Sequence, residues 1–154
     1  MSVTIAIELP DQPDVAALIE MSDSFMAGLY PQEGNFAVDI NALCQPDIVF
    51  VVARLDGKAV GCGGLKWLGD KTAEVKRIFV HDNARGHGVG RRIMGMLEDL
   101  AASHRIERVY LETGPLNTEA IGLYQGLGYR TCGAFAQYDE NPYSLFMVKA
   151  LEAA

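Results

Sequence analysis

Apolar residues along this chain change their period several times, and each change marks an element. Residues 3–9 alternate and read as a strand. Pro10-Asp11-Gln12-Pro13-Asp14 then opens a helix, with Asp11 as N-cap and Asp14 placing negative charge in the first turn. Val15, Leu18, Ile19, Phe25, Met26 and Leu29 follow at helical spacing, which predicts one inward face and a stop near residues 28–31. Pro31, Gly34 and Asn35 break the pattern, and a short second helix is expected over residues 38–43 or 38–44. Residues 48–55 form a β-branched run, Asp56-Gly57 is a hairpin turn signal, and residues 59–68 return as the next strand. Gly61, Gly63 and Gly64 weaken that strand or place a bulge in it. A second turn at Gly69-Asp70 leads to a strand over residues 72–80. Three antiparallel strands in series are therefore predicted.

The second half changes period again. Residues 81–84 are a short polar connection, and residues 85–90 are rich in glycine. Val89, Ile93, Met96, Leu97 and Leu100 mark one helix face, ending near Ser103 or His104. Residues 108–113 are a strand, so strand, helix and strand imply a parallel pair with a right-handed crossover. Asn117 is placed to cap a further helix that carries Ile121, Tyr124 and Leu127 and closes at Gly128. Residues 129–136 and 144–151 read as two final strands. No internal repeat, linker or low-complexity tract interrupts this order, so residues 1–154 are expected to form one domain.

The formal charge of −7 argues against a nucleic-acid or anionic-membrane surface. It leaves room for a local basic patch, which Arg85, His87, Arg91 and Arg92 supply. Cys44, Cys62 and Cys132 fit neither a disulfide framework nor a zinc site, and Cys62 reads as a small core residue. No metal site is expected. There is no signal-peptide pattern and no apolar run of membrane-spanning length, so the expected location is cytoplasmic.

The chemistry concentrates in residues 74–92. A strand, a glycine turn and a helix N-terminus together make an anion site, because unpaired N–H groups and the helix dipole converge there. The glycines stand at 86, 88 and 90, and Arg91 occupies the place where a dinucleotide fingerprint needs its third glycine. Gly-Lys-Ser/Thr, which a Walker A loop needs, is missing. Arg85-x-x-Gly88-x-Gly90 after a strand resembles the pyrophosphate loop of the GNAT superfamily of N-acetyltransferases. A second motif, Asn117-x6-Tyr124-Gln125-x-Leu127-Gly128-Tyr129, with Ala120 and Leu123, is similar to the segment that follows the central crossover in the same superfamily. The resemblance spans roughly residues 48–150 and is closest to small bacterial members; the first 45 residues share only the layout.

The resemblance implies an α+β fold in three layers, α/β/α. Its sheet is mixed, mostly antiparallel and splayed, with six to seven strands and a central parallel pair. It implies acetyl-CoA as cosubstrate, held in the cleft where the strands at 74–80 and 108–113 diverge. The strand backbone at Ile78, Phe79 and Val80 would bond the pantetheine arm. The loop from Arg85 through Gly86, His87, Gly88, Val89 and Gly90 to Arg91 would hold the pyrophosphate. Asn117 and Tyr124 would lie near the sulfur.

Acyl transfer needs a neutral amine, a stabilised carbonyl oxygen and a protonated leaving thiol. Tyr124 is the natural proton donor to the leaving thiolate, since a phenol stays protonated at neutral pH. Glu74 is the candidate base, with Glu112 as rival. Period-2 alternation puts Glu74 and Arg77 on opposite faces unless a bulge intervenes. Arg77 is either a substrate-carboxylate holder or a surface ion pair. The expected acceptor is a primary amine of a small molecule or peptide, shaped by the loops at 30–36 and 138–143. A non-catalytic acyl-CoA sensor or partner-binding module is the alternative. A homodimer through the C-terminal strand, as in relatives, stays open.

Overall fold

The structure is a computed structural model that describes residues 2–29 and 40–151. The loop at 30–36 and the start of the expected second helix lie outside the described residues. One sheet of seven strands organises the rest, in the order β1-β2-β3-β4-β5-β7-β6. The strands are β1 (Val3–Ile7), β2 (Ile48–Leu55), β3 (Lys58–Gly69), β4 (Thr72–Val80), β5 (Arg108–Thr113), β6 (Arg130–Cys132) and β7 (Leu145–Ala150). All neighbours are antiparallel except β4 and β5, the predicted parallel pair. The helices are α1 (Pro13–Leu29), α2 (Ile40–Leu43), α3 (Val89–Ser103) and α4 (Thr118–Gly126). Among the described residues no helix is long and apolar enough to cross a membrane.

Local chemistry explains the turns. Asp56 and Gly57 both have positive φ, 51° and 86°, as the expected tight hairpin requires. The next hairpin turns one residue later than expected, at Asp70 and Lys71, with φ of 52° and 59°. α1 starts at Pro13, and its cap position is Gln12 in place of the expected Asp11: the Ala16 N–H donates to Gln12 O at 2.8 Å, and Pro13, lacking an N–H, fits the first turn. β6 is shorter than expected, with three residues along the outer edge of β7.

The sheet has two covered faces. On one, α3 buries Val89, Ile93, Met94, Leu97 and Ala101 against Val51, Leu65, Val75, Val109 and Leu111. Met94 and Ala101 take the central places; Met96 and Leu100, expected there, flank them and are only partly buried. Gly61 and Gly63 let α3 sit close: a Cβ at Gly63 would come 2.4 Å from Ile78 Cδ1 and 3.0 Å from Ile93 Cγ2. On the other face, Val15 and Ile19 of α1 and Leu43 of α2 cover Phe50, Val52 and Cys62. Phe25 departs from its expected inward place and is 45% exposed.

Two irregularities set up the site. β4 and β5 pair from Thr72↔Arg108 to Val75↔Leu111 and no further, although β4 continues to Val80. Beyond Val75 the strands splay, and the β5-facing edge of β4 has no strand partner. The second irregularity is a bulge. Cys62 pairs with Phe79 and Gly64 with Lys76, so Arg77 and Ile78 oppose the single residue Gly63. Arg77 takes φ of 59°, the left-handed region that costs a non-glycine residue about 1 kcal/mol or more. The extra residue turns Arg77 onto the α1 face beside Lys76 and leaves Ile78 on the α3 face.

Candidate active site

The glycine loop gives the site its backbone. A short 3₁₀ turn at Asp82–Ala84 is capped by His81, whose Nδ1 accepts from the Asn83 N–H at 3.0 Å. The chain then runs through Gly86 and Gly88, with φ of 86° and 72°. Gly88 is the N-cap of α3 and offers no side-chain cap. Arg92 is the first residue to bond back, to Gly88 O at 3.0 Å. The N–H groups of Val89, Gly90 and Arg91 therefore have no acceptor within the helix. A Cβ on Gly86 or Gly88 would meet nothing within 4 Å, so the backbone there faces open space. That is the cradle a phosphate group needs: free amides, a helix N-terminus and no side chains in the way.

A cavity of about 370 Å³ connects this loop to the splay. Gly86, Gly88, Val89, Gly90 and Arg91 line one end. Ile78, Phe79 and Val80 form the β4 wall, while Asn117, Ala120, Leu123 and Tyr124 close the α4 side. Ser22, Phe25 and Met26 of α1 form the remaining wall, which explains why Phe25 is not in the core. Of the expected cofactor residues, the fold brings all but His87 to this cavity. Arg92 also leaves the basic patch, donating to Val3 O at 3.0 Å instead. Arg85 stays at the rim, 3.2 Å from Asp82 and 3.0 Å from Glu119. Asn117 holds the N-cap position of α4 but does not cap; its Nδ2 lies 3.5 Å from Met26 Sδ, across the cavity.

Tyr124 is buried and packs edge-on against Tyr129, with ring centroids 6.0 Å apart. Burial holds its phenol above the ordinary value, and the charge of Glu112 adds to that. Tyr124 is thus both a core aromatic and a cavity wall, protonated throughout the neutral range.

The α1 face of the splay carries a polar cluster. The Tyr138 hydroxyl donates to Glu74 Oε2 at 2.6 Å and accepts from Lys76 Nζ at 3.0 Å. Lys76 Nζ is itself 3.1 Å from Glu74 Oε2. Glu74, expected as the base, is only 1% exposed, and Oε2 is held by these two partners. Its Oε1 is buried with no hydrogen-bond partner among the described residues. Glu112 sits one residue past the last β4–β5 pair and is half-buried, taking a hydrogen bond from Ser144 Oγ at 2.8 Å. Burial raises its pKa, with the Glu74 charge adding; Ser144 and Lys76 oppose the shift. A carboxyl with raised pKa that water reaches suits proton transfer at neutral pH better than one locked to a lysine.

Tyr138 was not among the expected catalytic or cofactor residues. The aromatic run Phe135, Tyr138 and Phe146 was the available signal: its rings contact one another at 5.1–5.6 Å and clamp the connection between β6 and β7 over β4. Cys62 is buried and its thiol is pushed up to about 12, so it is no nucleophile. Among the described residues no group of three or more His, Cys, Asp or Glu could hold a metal ion.

Comparison with known proteins gives concordant results. Residues 15–129 match the model of the acetyltransferase (GNAT) family. An "IAA acetyltransferase" of Azospirillum brasilense is 42% identical over 97% of this chain and 99% of its own length. A Klebsiella pneumoniae crystal structure, described as a presumptive acyl-CoA N-acyltransferase, superposes with a TM-score of 0.83 at 30% identity, covering 97% of this chain and 98% of that one. A Thermoplasma acidophilum N-acetyltransferase solved in complex with coenzyme A shares the fold, with a TM-score of 0.73 at 20% identity over 98% of this chain and 100% of that one.

Proposed function

The chain belongs to the acetyltransferase (GNAT) family, and on that premise we propose that it moves the acetyl group of acetyl-CoA directly to a primary amine of a small molecule or peptide. The observation that carries this reading is the cavity joining the free amides of the glycine loop to Tyr124 at the splay. The amides of Val89, Gly90 and Arg91 take the pyrophosphate oxygens. The unpaired β4 edge from Ile78 to Val80 bonds the pantetheine arm as an added strand would.

The remaining roles follow from proton movement. Glu112, through water, takes the proton of the attacking amine. As the amine nitrogen bonds to the acetyl carbon, the carbon–sulfur bond breaks and Tyr124 protonates the departing thiolate. Glu74 acts as a positioning residue. With Lys76 it fixes Tyr138, and its charge adds to the burial that raises the Glu112 pKa. Each positioned acid or base of this kind contributes about 10²–10⁴-fold.

The test is calorimetric binding of acetyl-CoA, followed by thiol release against a panel of amines. Binding with amine-dependent thiol release supports the reading. Binding without release on any amine supports a coenzyme A-binding module in its place. Absence of binding overturns both.

A further inference from the structure

Arg77 is the one charged residue of β4 that the mechanism above leaves unused. Its bulge is maintained against an unfavourable φ of 59° and delivers the guanidinium to the α1 face at the start of the splay. The side chain is 10% exposed. Its Nη1 lies 2.7 Å from Asp23 Oδ1 on α1. That contact brings opposite charges together without hydrogen-bond geometry: Asp23 Oδ1 and Arg77 Nε are both buried with no hydrogen-bond partner among the described residues. A guanidinium carries five N–H donors in a planar fork that matches a carboxylate. Leaving Nε unsatisfied in a buried place is costly, and an acceptor from a ligand relieves the cost.

The neighbours define what that ligand is. Lys76, the other cation here, is committed to Glu74 and Tyr138. Arg77 directly precedes Ile78, and Asp23 directly follows Ser22; Ile78 and Ser22 both line the cavity. Across the splay stands Glu112, one residue past the last strand pair. Strands there start about 5 Å apart and then diverge. A carboxylate on β5 and a guanidinium on β4 therefore both stand just past the point where the two strands part.

We infer that Arg77 binds a carboxylate of the acceptor, so that the acceptor is a zwitterion: an amino acid or another amine that also carries an acid group. This inference rests on the acetyl-transfer reading for the role of the amine. The amine lies toward Glu112, which takes its proton, and the acid lies in the fork of Arg77 in place of the misaligned Asp23 contact. Arg77 is a specificity-determining contact and takes no part in bond making.

Two comparisons test it. N-acetyl derivatives of glycine, methionine, phenylalanine and aspartate are titrated into the protein with coenzyme A, each beside its neutral C-terminal amide. Thiol release is then measured with the parent amino acids and their amides. The expected preference for acid over amide is about ten- to hundredfold in at least one pair, and Arg77→Met brings that ratio to about one. Asp23→Asn removes the same ion pair but keeps the preference for the acid. A wild-type ratio of one in every pair overturns the inference. So does an unchanged ratio in Arg77→Met, or equal loss of the ratio in both variants, which makes Arg77 a strut between α1 and β4. The N-acetyl titration needs no turnover, so it decides Arg77 even where thiol release fails and the acetyl-transfer reading falls.

Discussion

The two faces of β4 are built by different means. On the α3 side, Ile78 and Val80 meet apolar side chains and glycine, and the polar groups that matter belong to the backbone: the amides that open α3 and the β4 edge freed by the splay. On the α1 side, the backbone recedes and side chains carry the polarity: Glu74, Lys76 and Tyr138 form one cluster, Glu112 adds its charge beside it, and Arg77 pairs with Asp23. The contrast matches two kinds of ligand. In the function proposed above, a cosubstrate that never changes is met by backbone, which needs only glycine and the right dihedrals. An acceptor that must be chosen and deprotonated would be met by ionisable side chains, whose pKa and reach depend on their surroundings.

The sharpest way to break the contrast is to put a side chain and a charge where the first face has neither. Gly88→Glu places a Cβ at φ of 72° and a carboxylate beside the free amides of α3. The strain alone costs about 1 kcal/mol, but the charge competes directly for the anion site. We expect acetyl-CoA binding to disappear from the calorimeter while the chain still folds, checked by circular dichroism. Retained binding would mean that the amides do not hold the phosphates.

The next largest effect belongs to the other face. Glu112→Gln keeps the shape and removes the proton acceptor, and kcat with amine should fall about 10²-fold or more. The acid limb of the wild-type pH–rate profile should lie above the range of an ordinary glutamate, because burial raises this carboxyl, and the variant should lack it. Stability should move the opposite way. A raised carboxyl pKa means that the folded chain binds the proton more readily than the unfolded chain. Its contribution favours folding at low pH and is lost as pH rises through the folded value. Urea melts at neutral pH should therefore show Glu112→Gln no less stable than wild type, while turnover collapses.

Tyr124→Phe sharpens the boundary between the faces. Tyr124 stands on the cosubstrate side, yet its phenol feels the charge of Glu112. Loss of the hydroxyl should lower kcat about tenfold or more and leave coenzyme A affinity intact, since only the step that protonates the thiolate is touched. A substrate thioester with a more acidic thiol should narrow the gap. If it does not, the hydroxyl serves packing alone.

The two faces were also unequally legible. The loop at residues 85–91 could be read because glycine spacing and helix onset are local, and a short stretch of chain determines both. Tyr124 was legible for the same reason, being tied to Asn117 and Gly128 on one helix. The α1 face was harder because a single inserted residue decides it. Strict alternation sends Arg77 to the far side of β4; the bulge opposite Gly63 brings it back beside Lys76. Nothing in residues 74–80 alone announces that bulge, since its left-handed position holds an arginine where glycine would have been the signal. The buried status of Glu74 was hidden too, because its partner Tyr138 lies 64 residues away. Helix faces followed the periodicity in outline: on α3, Met94 and Ala101 take the central places expected of Met96 and Leu100, and Phe25 fits an inward pattern but lines the cavity.

The smallest effect tests whether the second face is held as a unit. Tyr138→Phe keeps the ring contacts with Phe135 and Phe146 and deletes one hydroxyl. That hydroxyl donates to Glu74 and accepts from Lys76 in a buried place, so its loss should cost about 1–2 kcal/mol in urea unfolding, with the m-value unchanged. The pH dependence gives the sign. Burial raises the Tyr138 phenol above its ordinary value of 10.0, and the charge of Glu74 adds to the shift. The folded chain thus retains a proton that the unfolded chain releases. The advantage of wild type over the variant should be full below pH 10 and should shrink as pH rises above it. A constant difference across that range would mean that the hydroxyl matters only through shape. The connection between β6 and β7 would then be held on β4 by its aromatic rings rather than by the polar cluster beneath them.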